Sequence, residues 1–389
     1  MSPDADILFL TNGHGEDEIA RLVLDRLAPC EETRARIAAW PMVGGGERYT
    51  RAGIATFGPR NRLPSEGFGT VSLPAFLRDL RAGFLGTYLA QARHARSLRG
   101  RARAIVAIGD VVPLAAAVLS GLPTIFLSSA KSARYGGTDG HNPLERALMR
   151  RVARVFARDE RTARLLRLKG VAAEFAGNPM MDGVAGADGS PLAAPDRTNV
   201  ALLPGTRADA SANARLLLAA LGHTRGMHGL VTAAPGFDLD ALADGPPEGW
   251  RVTGRDDTSL ALSHAQGATA EVVPGRFAEA LAASDLAVGM AGTGNEQAAG
   301  LGLPLVAVAG AGNQGAAYLA MKKRYFGAAA TTAGSSPGAI ATALTALAED
   351  PARRREMAEA GRALMGAPGA SAAIADAART LAGWEPAHG

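Results

Sequence analysis

Val288-Gly-Met-Ala-Gly-Thr-Gly-Asn-Glu-Gln-Ala-Ala-Gly-Leu-Gly-Leu-Pro-Leu-Val-Ala-Val308 decides how this chain is read. An apolar run ends in a glycine loop, a short helix follows, and a second apolar run begins at Leu305, which is the grammar of strand, loop, helix and strand. Gly289, Gly292 and Gly294 leave no side chain where a ligand has to approach the backbone, and the helix beginning near Asn295 directs its unpaired N–H groups toward that ligand. Such a terminus attracts phosphate. Glu296 sits in its first turn, where a carboxylate does not favour an anion, so its expected part is to accept hydrogen bonds from sugar hydroxyls beside the phosphates. A diphosphate next to a ribose describes a nucleotide, and Met290, Gly292, Thr293, Gly294, Asn295, Glu296 and Gln297 are its expected contacts.

Short apolar runs at 7–10, 104–108, 124–127, 200–203, 229–233, 286–288 and 305–309 alternate with amphipathic segments along the chain. That alternation predicts parallel sheets joined by crossover helices. The segment Gly183-Val-Ala-Gly-Ala-Asp-Gly-Ser-Pro-Leu-Ala-Ala-Pro-Asp196 is rich in Gly, Ala and Pro and has no apolar period, so it is expected to be a linker. It separates a first domain at 1–182 from a second at 197–365. Both sides open alike, with an apolar strand running into a glycine turn and a helix, at Ile7 to Gly15 and at Val200 to Arg207. The expected architecture is α/β, two Rossmann-like doubly wound domains facing an interdomain cleft. The 389 residues, 47% of them hydrophobic, suffice for two cores.

Charge is unevenly placed. Residues 1–180 hold 26 Lys and Arg against 17 Asp and Glu, a net +9, whereas the remainder is net −5. A basic first half suits an anionic partner such as a lipid surface or a phosphorylated acceptor. With 5% aromatic residues and no nucleic-acid-binding motif, nucleic acid is not expected as a partner. Cys30 is the single cysteine, which excludes an intramolecular disulfide framework and a cysteine-rich metal site. The N-terminus lacks the basic region and cleavage site of a secretory signal, and the apolar windows are short, one of them interrupted by Asp110. The expected location is cytoplasmic, with any membrane contact peripheral and at the inner face.

Several side chains fall where α/β folds bind ligands, the carboxyl ends of strands. In Thr11-Asn-Gly-His-Gly-Glu-Asp17, the glycines allow a tight turn that presents His14, a candidate general base; capping or bridging the turn is the alternative. Asp110, after the strand ending at Gly109, is the second candidate base, or else a helix cap. Asn12, Gly13, Gly15 and Glu16 with Ser128, Ser129 and Lys131 are candidates for lining an acceptor pocket. In the second half, Gly205 and Thr206 deliver Arg207, suited to bidentate phosphate contact. The backbone near Phe277 is placed to read a base edge, and Asn313 and Gln314 to hold sugar hydroxyls. Asp238-Leu-Asp240, which has the form of a metal motif, is discounted because it begins a short helix, and no metal site is expected. The segment from Pro74 to Arg103 mixes apolar residues with arginines, as either a lipid-facing or an ordinary core-facing helix would.

Taken in order, Thr11-Asn-Gly-His-Gly-Glu-Asp17, Ala176-Gly-Asn-Pro-Met-Met-Asp182, Leu202-Leu-Pro-Gly-Thr-Arg207 and Gly292-Thr-Gly-Asn-Glu296 resemble the lipid-A-disaccharide synthase group and its relatives among the two-domain GT-B glycosyltransferases. The first segment is similar to the related subgroup rather than to the synthase proper. The resemblance implies transfer of a sugar from a UDP-sugar to an acceptor with inversion and without a metal or other cofactor. It implies donor contacts at Arg207, at the 292–295 loop and at Glu296, with Gln314 on the donor sugar. It places His14 at the loop histidine and Asp110 near the acidic position of such enzymes. It also implies that a last helix, in 366–389, crosses back to the first domain. The rivals are a UDP-sugar 2-epimerase or hydrolase of the same fold and a non-catalytic nucleotide-binding protein. A dinucleotide dehydrogenase fits poorly, because Gly13-His-Gly15 lacks the third glycine of its fingerprint.

Overall fold

The computed structural model describes residues 5–60, 84–136, 138–206, 209–290, 292–310 and 315–384. The chain forms two compact units, Met1–Asp182 with Pro368–Gly389, and Gly183–Ala367. Among the described residues no helix is long and apolar enough to cross a membrane.

The first unit is built on a seven-stranded, all-parallel sheet of β1 (Ile7–Thr11), β2 (Ile37–Pro41), β3 (Ala55–Thr56), β4 (Ala104–Gly109), β5 (Thr124–Ser128), β6 (Arg154–Ala157) and β7 (Ala173–Glu174), in the order β3-β2-β1-β4-β5-β6-β7. A parallel sheet needs crossovers that cover both faces, so its central strands carry consecutive apolar residues rather than alternate ones, with Thr11, Thr124 and Ser128 at strand ends. Ile7, Phe9, Val106, Ile108, Ile125 and Leu127 pack beneath helices His14–Leu27 and Ala370–Ala382. Leu8, Leu10, Ile105, Ala107 and Phe126 meet the opposite helices through Ala95, Leu114, Met149 and Leu166. From the expected 74–103 stretch, residues 74–83 lie outside the described residues. Helix Phe84–Ser97 buries Gln91 and Ala95 and turns Arg93 and Arg96 outward, as a core-facing helix does.

Helix Ala370–Ala382 completes the first unit from the far end of the chain. Ile374 is 1% exposed, and burying a side chain of that size contributes about 1.5–3 kcal/mol. The Arg379 guanidinium donates to the Leu27 carbonyl at 3.1 Å, and the Asp182 carboxylate accepts from the backbone N–H groups of Gly369 and Ser371, satisfying donors that a helix start leaves open.

The second unit carries eight strands: β8 (Thr198–Leu203), β9 (Met227–Ala233), β10 (Trp250–Arg255), β11 (Leu260–His264), β12 (Thr269–Pro274), β13 (Leu286–Gly289), β14 (Leu305–Val308) and β15 (Ala330–Ala333). Their order is β10-β11-β12-β9-β8-β13-β14-β15. The expected parallel pairing holds through the body of this sheet, and one edge adds an antiparallel part, in which β10 and β11 form a hairpin and β11 pairs with β12. The expected linker is corrected. Residues 183–196 belong to the second unit: Leu192 is buried against Leu230, Val273 and Ala280, and the Ala194 N–H donates to Asn199. Gly and Pro there shape an ordered covering of the sheet rather than a tether.

Helix Thr293–Leu301 packs on helix Pro351–Met365 so closely that a methyl group at Gly361 would overlap the carbonyl oxygen of Ala299. Gly361→Val is expected to push these helices apart and to cost about 1–3 kcal/mol, read as a lowered denaturant midpoint at unchanged slope.

Candidate functional site

In the first sheet the strand order reverses between β1 and β4, the place at whose carboxyl ends α/β sheets bind ligands. The residues after Thr11 and after Gly109 stand there. Asn12 Nδ2 donates to Asp110 Oδ1 at 2.6 Å, tying the two loops together. Gly109, at φ +134°, is constrained to glycine by its backbone angle and by the Asn12 side-chain oxygen, which fills the space a Cβ would take. Asp110 also accepts from the Val112 N–H at 2.8 Å and is therefore the N-cap of helix Val111–Ser120.

His14 is the first residue of helix His14–Leu27, exposed, with its ring beside Gly44 in the loop after β2. Gly13 is its extended N-cap and Gly15 is exposed. Glu16 bends back toward Gly13 and accepts from Ser129 Oγ at 3.3 Å. Ser129 follows β5, so three strand ends contribute to one polar cluster. Ser128 is buried: its hydroxyl meets His141 Nε2 at 2.9 Å, while His141 Nδ1 lies 2.9 Å from the Asp139 carbonyl oxygen. Lys131 is engaged with the buried Glu145 at 2.6 Å.

Burial dominates the electrostatics of this cluster. It raises the carboxyl of Asp110 above the usual range against the hydrogen bonds from Val112 and Asn12, which favour the charged form. Glu16 is raised for the same reason, opposed by its own backbone N–H and reinforced by the charge of Asp110. Asp17 is raised by burial too, although Thr11 Oγ1 donates to it at 2.6 Å.

The second sheet reverses between β8 and β13. The Met290 N–H donates to the Leu203 carbonyl at 3.1 Å, which joins these strands at their ends. Beyond β8, the turn through Gly205 to the exposed Thr206 is steadied by Asn213 Nδ2, donating to the Pro204 carbonyl at 2.9 Å. Arg207 lies outside the described residues, as do Asn313 and Gln314. Beyond β13, Gly292 caps helix Thr293–Leu301 without a side-chain cap, and Thr293 is exposed. Gly294, Asn295 and Gln297 are buried, with Asn295 Nδ2 donating to the Gly289 carbonyl at 3.1 Å. Phe277, half-buried, opens helix Phe277–Ala282 after β12. Asp238 caps a short helix through the Ala241 N–H, and Asp240 pairs with Arg255.

Glu296 is 2% exposed and bonded to Lys322 Nζ at 2.5 Å. Sequence reasoning missed Lys322. Its signal was the spacing of Tyr318, Lys322 and Tyr325, which places all three on one face of helix Ala316–Phe326.

No protein-family model and no curated protein matches the chain. Among solved structures it is similar to Acinetobacter baumannii MurG, with TM-score 0.60 and 15% identity over 97% of this chain and 99% of that one. A calicheamicin glycosyltransferase superposes with TM-score 0.63 and 17% identity over 98% and 99% of the two chains. The UDP-GlcNAc 2-epimerase of Neisseria meningitidis, solved with UDP-GlcNAc bound, gives 0.56 and 12% over 96% and 99%. The shared fold is GT-B, with two Rossmann-like parallel-sheet units.

Because Glu16 has a raised pKa in the folded state, that state holds more protons than the unfolded chain across the interval between the two values. Its ionisation therefore lowers stability as pH rises through the folded value. Glu16→Gln is expected to raise the melting temperature at pH 8, the gain shrinking to nothing as the pH falls through the carboxylate range; an equal gain at every pH would contradict the assignment.

Proposed function

We propose that this protein is an inverting, metal-independent glycosyltransferase that moves a sugar from a UDP-sugar to a lipid or lipid-linked acceptor. The observation that carries the reading is the reversal point of the second sheet. There a glycine-capped helix of nine residues begins at Thr293 with a carboxylate in its first turn, beside the turn that leads to Arg207. The helix-start N–H groups at 293–295 and the Arg207 guanidinium suit a diphosphate, and Glu296 suits a ribose. The likeness to an epimerase of the same fold that was solved with UDP-GlcNAc bound supports this choice of ligand.

The acceptor falls to the first unit. Its excess of basic residues and its exposed Leu89, Leu144 and Leu168 support an anionic, lipid-linked molecule. In the reaction, His14 or Asp110 takes the proton of the acceptor hydroxyl, the oxygen bonds to the anomeric carbon from the face opposite the diphosphate, and the bond from that carbon to the diphosphate oxygen breaks. The 293–295 amides and Arg207 stabilise the charge on departing UDP, a duty otherwise given to a metal. His14 is the favoured base, being the exposed one of the two; Asp110 is already committed to Asn12 and Val112.

Two measurements test the reading. Arg207→Ala and Glu296→Ala are expected each to weaken UDP binding in calorimetry by roughly ten- to a hundred-fold, the loss of a charge-assisted hydrogen bond of about 1.5–3 kcal/mol. His14→Ala is expected to lower kcat by about 10²–10⁴ with UDP affinity retained; if Asp110→Asn does so instead, the base is Asp110. Unchanged UDP affinity in both donor-site variants would sink the assignment. The epimerase likeness favours one second reading, UDP-sugar 2-epimerisation. Incubation with UDP-N-acetylglucosamine and no acceptor separates the two, because an epimerase reacts alone.

A further inference from the structure

Lys322 and Glu296 form an ion pair in which both side chains are more than nine-tenths buried, 9% and 3% exposed, with Nζ 2.5 Å from Oε1. The ammonium is held from two further sides. It lies 5.5 Å from the ring centre of Tyr318 and 5.2 Å from that of Tyr325, and the Tyr325 hydroxyl is itself 3.8 Å from the Met365 sulfur. A buried pair of this kind is close to neutral for stability when set against apolar side chains of similar size, so a gain in folding free energy does not account for it. What it does supply is geometry. Helix Thr293–Leu301, which starts at the glycine loop, and helix Ala316–Phe326, which follows Asn313 and Gln314 in sequence, are joined through the one carboxylate in the first turn of the former.

We propose that Lys322 is a positioning residue that fixes the Glu296 carboxylate for a ribose diol and cancels its charge, so that the same helix start accepts a diphosphate. The proposal rests on the UDP-sugar reading of this site. Two requirements conflict there. A ribose needs an ionised acceptor with a set orientation, whereas a diphosphate a few ångströms away is repelled by that ionised acceptor. An ammonium bonded to the carboxylate on the protein side meets both, because it leaves the acceptor charged while the helix terminus regains its attraction for anions. The aromatic rings hold the ammonium in place, since a cation over a ring face is favoured more strongly once desolvated.

The test is the discrimination between UDP and 2′-deoxy-UDP, measured by calorimetry on the full-length chain. Wild type is expected to prefer UDP by roughly ten-fold or more, as a charge-assisted hydrogen bond provides. Lys322→Met, which keeps the length of the side chain, is expected to bring the ratio toward unity. Glu296→Gln is expected to do the same, and the double variant to match Glu296→Gln with no further fall. A folded Lys322→Met protein with the wild-type ratio overturns the assignment of Lys322 and leaves the UDP-sugar reading standing. Wild type that does not bind UDP overturns that reading and this proposal with it. Should Lys322→Met not fold, the double variant decides: a ratio different from that of Glu296→Gln means that Lys322 acts on the nucleotide by another route, and the proposal fails.

Discussion

Backbone hydrogen bonding in parallel sheets whose faces are both buried is the constraint on which the rest depends. The middles of β1, β4 and β5 are apolar because helices lie above and below them, and the polar residues Thr11, Thr124 and Ser128 fall at strand ends, so little chemistry can be mounted along their length. Only the strand ends remain, and among those only the place where neighbouring crossovers part company leaves room for a ligand. Both units obey this rule at the equivalent position, between β1 and β4 and between β8 and β13.

The two ends are nevertheless opposite in character. In the first unit Asp110, Glu16 and Asp17 are withdrawn from water, and burial raises all three and lowers stability at neutral pH. Proteins tolerate such an arrangement where proton transfer is the purpose. In the second unit the strand end is lined by glycine backbone, and the carboxylate there is matched by a cation.

Much of this was legible in the sequence. The apolar runs gave the central strands, since continuous burial leaves a continuous apolar signature, and the glycine turns after β1, β8 and β13 marked the ends that matter. Peripheral strands such as β3 and β7, two residues each, carry too little pattern to be seen. The β10–β11 hairpin was hidden because β10 is exposed along most of its length and reads as polar loop. Residues 183–196 were misread because Gly and Pro mark irregular backbone but do not say whether that backbone is packed; Leu192 alone hinted at it. Partners far apart in sequence, Asn12 with Asp110, Lys322 with Glu296 and Ser128 with His141, exist only once the fold has brought them together. Asp182 belongs with them. Its motif was read for resemblance, yet its carboxylate caps a helix 187 positions downstream.

That cap has a bearing on how the protein is made. One face of the first sheet is sealed by Ala370–Ala382, and this helix leaves the ribosome only after the whole of Gly183–Ala367 has been synthesised. Until then Ile7, Phe9, Val106 and their neighbours lie partly uncovered, through the minute or less in which roughly 185 further residues are added at bacterial-like rates of about 5–20 per second. The unit that begins first therefore finishes last, and the nascent chain must keep an apolar sheet from sticking to its neighbours for the length of an entire second domain.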